Sequence, residues 1–174
     1  NAGGKLSKED LIDYSAQVVD PITAIRGSLV YNLLPGMSAG PTFVDALENI
    51  PEFDMEKPSP DSHAFTAKAL IEAYRKRFET IGHSGDVGDR SCTTNISAVD
   101  HHGNMVIMTT TLLSRFGSRY VAPTSGILLN NGINWFDPRP DKPNSIAAGK
   151  KPLSNMCPMI ATKQGRPVFG LGAS

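Results

Sequence analysis

An α+β fold, with helices packed on a mostly antiparallel sheet, is predicted by three features of the sequence. Residues 42–50 and 61–81 repeat apolar side chains at the three- and four-residue steps of a helix. Residues 93–112 and 156–171 instead hold pairs of β-forming runs joined by short polar turns. Helical patterns therefore come first and strands mostly after them, the order expected when helices cover a sheet. At 174 residues the chain can bury one core and not two, and no internal repeat divides it.

Taken in order, Ser7-Lys8-Glu9-Asp10 has the form of a capping box, with Leu6 before it and Leu11, Ile12 and Tyr14 after it, so a short helix begins there. Beyond Pro21, the residues Ile25, Leu29, Val30, Tyr31 and Leu33 surround Gly27 and predict two short strands or a bent pair. Pro35 to Pro41 reads as a loop. Phe43, Ala46, Leu47 and Ile50 share one helical face, and Pro51 closes that helix. Asp61 is placed to N-cap the longer helix, whose Phe65, Ala67, Leu70, Ile71, Tyr74, Phe78 and Ile81 form its expected buried face. Lys68, Glu72, Arg75, Lys76, Arg77 and Glu79 make the opposite face, read as solvated.

Gly82 to Ser91 carries three glycines with Asp86 and Asp89 and little that a core could use, so an exposed, mobile loop is expected. Thr93 to Asp100, the turn His101-His102-Gly103-Asn104, and Met105 to Leu112 predict a hairpin. Residues 126–131 are expected to form a short buried element, and residues 137–152 a proline- and glycine-rich excursion. Met156 to Thr162 and Pro167 to Leu171 flank a second turn and predict a second hairpin.

Composition narrows the function. Seventeen basic residues balance seventeen acidic ones, so no global field draws the chain to nucleic acid or an anionic membrane. Cys92 and Cys157 stand without metal-type spacing between them or to the four histidines, so no metal and no cofactor is expected. No apolar run reaches the roughly 18 residues of a membrane span. The chain lacks an initiator Met, and Asn1-Ala2 reads as the remnant of a removed tag, which predicts a segment whose natural start lies upstream. The compartment stays open for the same reason.

A flexible loop running straight into Thr93-Thr94 at the start of a strand has a specific chemical use. Cutting the bond between Cys92 and Thr93 would give Thr93 a hydroxyl and a free α-amine together, and such an amine has a pKa of about 8. Nucleophile and general base would then occupy one residue. No convincing Ser-His-Asp set competes with this reading. Taken alone, a Thr-Thr pair opening a strand is no more than β propensity.

Its context is more specific. Residues 93–100 (Thr-Thr-Asn-Ile-Ser-Ala-Val-Asp), Gly103-Asn104, Thr109-Thr110-Thr111-Leu112 and Phe116-Gly117 closely resemble the start of the small subunit of gamma-glutamyltranspeptidases, which are N-terminal-nucleophile hydrolases. Residues 125–131 (Ser-Gly-Ile-Leu-Leu-Asn-Asn) and 151–158 (Lys-Pro-Leu-Ser-Asn-Met-Cys-Pro) resemble two further signatures of that family, in the right order. Upstream, Gly3-Gly4, Leu6 to Leu11, Tyr14, Arg26-Gly27 and the 35–40 loop resemble the latter part of its large subunit.

The resemblance implies part of an αββα sandwich, with residues 1–92 from the large-subunit region and residues 93–174 from the start of the small-subunit region, together one incomplete domain. It implies an autoprocessing enzyme that acts on gamma-glutamyl amides such as glutathione. Thr93 matches the nucleophile, Cys92–Thr93 the self-cleavage site, and Thr111 a threonine supporting the nucleophile. Ser154 matches a serine on the substrate α-carboxylate, with Asn155 replacing a second serine beside it, and Asn130 and Asn131 line the same pocket.

Two departures bear on the donor. Leu113 stands where the family usually has an asparagine at the amino-acid end of the donor, and Trp135 stands near an aspartate expected to pair with the α-ammonium. Leaving a desolvated ammonium unpaired costs roughly 1–3 kcal/mol or more. A glutaryl-type (cephalosporin) acylase is therefore the second expectation, and a catalytically dead relative serving in binding or assembly the third. The oxyanion glycines and the carboxylate-binding arginine of the family fall outside this sequence. The segment alone is accordingly expected to be inactive, still joined at Cys92–Thr93, and self-associating through open strand edges.

Overall fold

A computed structural model describes residues 6–53, 57–81 and 91–173. A short helix α1 (Lys8–Ile12) opens the described chain. Its capping box forms as the sequence predicts: the Asp10 amide donates to Ser7 Oγ, and the Ser7 amide donates to the Asp10 carboxylate. Strands β1 (Ile22–Arg26) and β2 (Leu29–Leu33) then pair antiparallel, in register from Ile22↔Leu33 to Arg26↔Leu29. Gly27, at φ +58°, supplies the left-handed residue that this two-residue turn needs.

Helices α2 (Gly40–Asn49) and α3 (Pro60–Thr80) follow. The expected 35–41 loop is shorter than predicted, because Gly40 and Pro41 already belong to α2, where a proline in the first turn forfeits no intrahelical bond. The α3 cap is Ser59 and not Asp61: Ser59 Oγ accepts the Ser62 amide and Ser62 Oγ accepts the Ser59 amide.

The larger correction concerns which face of α3 is buried. Ser62, Ala69, Ala73 and Arg77 are buried, whereas Phe65, Leu70, Ile71 and Tyr74, expected inside, are exposed. Small side chains let α3 close on α2, where Ala46 is buried as well. Arg77, read as solvated, is 3% exposed. It is tolerated there because its guanidinium donates to Ser38 O, Thr42 Oγ1 and Ser154 O at 2.9–3.0 Å.

Strands β3 (Ser91–Val99) and β4 (Met105–Ser114) form the first predicted hairpin, and β5 (Met159–Lys163) and β6 (Arg166–Leu171) the second. The second hairpin begins at Met159 and not Met156. The predicted mobile loop lies outside the described residues except for Ser91, which opens β3. Residues 126–131 are not the buried element expected; Leu129 and Asn130 are exposed, and only Leu128 makes an isolated bridge, to Val121.

The strands form two antiparallel sheets, one ordered β1-β2-β5-β6 and one of β3 and β4. On the four-stranded sheet, the register places Tyr31, Ala161 and Phe169 on the face that meets α2. Tyr31 packs against Phe43 at 6.2 Å and Phe169 at 6.3 Å between ring centroids. The opposite face carries Gly170, where an added Cβ would lie 2.3 Å from Ile107 Cδ1 of β4. The second sheet therefore rests on bare backbone of the first, and the layers run helix, sheet, sheet. Leu33, Met159, Ala161 and Leu153 form the centre of the core.

Candidate active site

Thr93 and Thr111 face each other across β3 and β4 in register. Thr93 Oγ1 donates to Thr111 Oγ1 at 3.0 Å, and both residues are half-buried. The ladder is irregular on the side of Thr93 that leads to Cys92. Ser91 pairs with Ser114 and Thr93 with Thr111, so Cys92 alone opposes both Leu112 and Leu113. That is a β-bulge in β4, and Leu113 carries it at φ +69°. A leucine held in the left-handed region costs on the order of 1–3 kcal/mol. The turn brings the Leu113 amide onto Thr111 Oγ1 at 2.9 Å, so Thr111 accepts from its own strand as well as from Thr93.

Asn131 secures the end of β4. Its amide donates to Leu112 O at 3.2 Å. Its carboxamide oxygen accepts the Ser114 amide at 3.0 Å, and its Nδ2 donates to Ser114 Oγ at 2.7 Å. Gly117 explains how residues 129–131 come so close. At φ +49°, an added Cβ would lie 2.4 Å from Leu129 O, and the Ser118 amide donates to that same carbonyl at 2.9 Å. The Phe116-Gly117 pair of the sequence thus fixes a turn against the Asn130-Asn131 segment. Asn130 is exposed, and its Oδ1 accepts the Gly132 amide at 3.0 Å. A 3₁₀ turn, Gly132–Trp135, follows. An added Cβ at Gly132 would be 3.5 Å from Trp135 Cε3 and Cζ3, so the indole lies over that glycine.

Ser154 lies in a second cluster. Its amide donates to Met37 O at 2.8 Å, its carbonyl accepts from Arg77, and its hydroxyl accepts the Met156 amide at 3.2 Å. Asn155 is exposed beside it. Asn144 joins the two clusters: Nδ2 donates to Trp135 O at 2.6 Å, and Oδ1 accepts the Leu153 amide at 3.1 Å. Asp137, fully buried, accepts from the Arg139 amide and guanidinium and so folds the loop that carries Asn144. The predicted residues accordingly fall into a hydroxyl end (Thr93, Thr111, Asn131) and a serine end (Ser154, Asn155).

Sequence reasoning missed Ser114, Arg77, Asp137 and Asn144. Each lacks a motif, and only the fold gives it partners. Cys157 is a half-buried free thiol, pushed up by that burial although the Arg77 cation pulls it down. Among the described residues, no group of three or more His, Cys, Asp or Glu is placed to hold a metal, and no helix is long and apolar enough to cross a membrane.

This α+β layering is shared with the cephalosporin acylase of Bacillus halodurans. The TM-score is 0.82, over 97% of this chain and 37% of that one, at 22% sequence identity, which makes it a likeness of fold. The chain belongs to the gamma-glutamyltranspeptidase family, whose model matches residues 76–174, across the Cys92–Thr93 bond. It is 32% identical to the glutathione hydrolase proenzyme of Escherichia coli (strain K12), over 94% of this chain and 37% of that protein. It is 39% identical to the acylase ACY 1 proenzyme of Pseudomonas sp. (strain SE83), over 64% of this chain and 20% of that one. The chain thus spans well under half the length of these relatives.

Proposed function

We propose that the full-length protein is an autoprocessing threonine-nucleophile gamma-glutamyltransferase or hydrolase, with Thr93 as nucleophile. The observation that carries this reading is the hydroxyl pair of Thr93 and Thr111, set at the start of β3 beside a bulged ladder. In maturation, Thr93 Oγ1 bonds to the Cys92 carbonyl carbon and its proton passes to the Thr93 nitrogen as the C–N bond breaks. An ester then joins Cys92 to Thr93. Water hydrolyses it, leaving a carboxylate on Cys92 and a free amine and hydroxyl on Thr93. Residues 1–92 and 93–174 would then belong to two associated subunits.

In turnover, the freed amine, of pKa about 8 in its ordinary state, accepts the hydroxyl proton as Oγ1 attacks a gamma-glutamyl amide. The amine leaving group carries a proton away, and water or an acceptor amine releases the acyl group from Thr93. Ser154 and Asn155 would hold the substrate carboxylate. Names of relatives, glutathione hydrolase among them, support gamma-glutamyl amides as the substrate class. The full-length protein should split between Cys92 and Thr93, and Thr93→Ala should abolish both splitting and turnover. Splitting that survives Thr93→Ala, or a break elsewhere, would overturn the reading in favour of a non-catalytic relative.

A second reading, a glutaryl-type acylase, is favoured by Leu113 and Trp135, which put apolar groups where an α-ammonium would need partners, and by acylase names among the relatives. Turnover of gamma-glutamyl and glutaryl anilides by the full-length protein separates the two. A Trp135→Asp variant should shift preference toward the gamma-glutamyl substrate if the indole is what excludes the ammonium.

A further inference from the structure

We propose that Asn131 and the Leu113 amide are positioning groups that hold the Thr111 hydroxyl as the partner of Thr93, and that Asn131 is not part of the substrate pocket. This rests on Thr93 being the nucleophile, as argued above. The Asn131 carboxamide is already engaged at both ends by Ser114, through its oxygen at 3.0 Å and its nitrogen at 2.7 Å, while its amide holds Leu112 O. Those contacts bracket Leu113, the one residue of β4 with positive φ. With Leu112 and Ser114 fixed on either side, the backbone between them is held in the left-handed turn that delivers the Leu113 amide to Thr111 Oγ1. The chain of contacts is therefore Asn131, the Leu112–Ser114 turn, Thr111 and Thr93, and every link but the last is made within β4 or onto it.

A substrate contact and a positioning group differ in a measurable way. Self-cleavage uses no substrate, so a residue of the pocket leaves its rate alone and changes KM. A residue that aims Thr111 changes the splitting rate and kcat.

The test follows freshly synthesised full-length protein by mass spectrometry. Asn131→Ala should slow splitting by about tenfold or more, the loss expected for a polar group left without its partners, and leave KM for a gamma-glutamyl anilide little changed. Asn131→Leu, an apolar side chain of similar size, and Ser114→Ala remove the side-chain bond between the two residues from opposite sides, so both should slow splitting and serve if Asn131→Ala fails to fold. At Leu113, Leu113→Gly accepts positive φ and keeps the amide, whereas the β-branched Leu113→Val resists that conformation, so the glycine variant should split faster than the valine variant. Normal splitting with raised KM in the Asn131 variants, or equal rates for the two Leu113 variants, would overturn the inference. A wild-type protein that never splits before Thr93 would instead remove the nucleophile reading beneath it.

Discussion

Thr93 Oγ1 lies 3.0 Å from Thr111 Oγ1, and the two residues are direct partners in the β3-β4 register. Register, not chance approach, brings the hydroxyls together: a slip of one residue would send one of them to the other face of the sheet. Thr111→Val keeps the shape and β propensity of the side chain and removes the acceptor. Splitting of the full-length protein should slow by about 10- to 100-fold, the equivalent of one strong hydrogen bond, while Thr111→Ser retains most of the rate. Equal rates for the valine and serine variants, measured on the same time course, would show that the contact is packing alone.

The stacking of the two sheets makes a second expectation. Ile107 Cδ1 and Cγ1 would lie 2.3 and 2.6 Å from a Cβ at position 170, so Gly170→Ala forces backbone or side-chain movement. Overpacking of this kind costs about 1–3 kcal/mol. Ile107→Ala empties the same space and costs stability on its own account, so the double variant should be more stable than the sum of the two losses predicts. Strict additivity in urea unfolding of the full-length protein would mean that these residues do not touch.

How far the sequence reaches is clearest where these elements meet. Both hairpins were legible because their β-forming runs flank short polar turns, and the capping box at Ser7 because its two bonds are local. The buried face of α3 was not, since periodicity records where apolar side chains recur and not which face a neighbour can approach. Ala69 and Ala73 are buried because α2 must come close, and no local pattern announces that. The candidate site divides the same way. Thr93 and Thr111 could be found from the resemblance, but Ser114, Asn144 and Arg77 act through partners between 9 and 77 residues away in sequence.

Arg77 carries the third prediction. Among the described residues no carboxylate lies within ion-pair distance of it, and burial lowers its pKa from the ordinary arginine value. Its guanidinium instead ties α3 to Ser38 O, Thr42 Oγ1 and the Ser154 carbonyl. Arg77→Met fills similar space and strands those acceptors, so a loss of about 2–4 kcal/mol is expected. Because one of them is the backbone of Ser154, KM for a carboxylate-bearing donor should rise as well. Arg77→Lys should recover only part of either, as a point donor cannot reproduce the planar fork. A normal KM in a folded Arg77→Met protein would separate the strut from the pocket.

The turn of the β3-β4 hairpin should make stability depend on pH. Asp100 accepts the His102 and Asn104 amides at 2.9 Å and Asn104 Nδ2 at 2.7 Å, and these bonds, those from Asn104 foremost, hold its pKa below the ordinary aspartate value. A carboxyl whose pKa is lower folded than unfolded binds protons more readily unfolded. Its contribution is therefore complete above the unfolded value of about 3.9 and is lost as pH falls through the lower folded value. Asp100→Ala should be less stable than wild type at neutral pH, with the gap narrowing steadily as the solution is acidified below about pH 4. Chemical unfolding of both proteins across that range gives the difference directly, and a gap independent of pH would mean that the carboxylate charge takes no part in holding the turn.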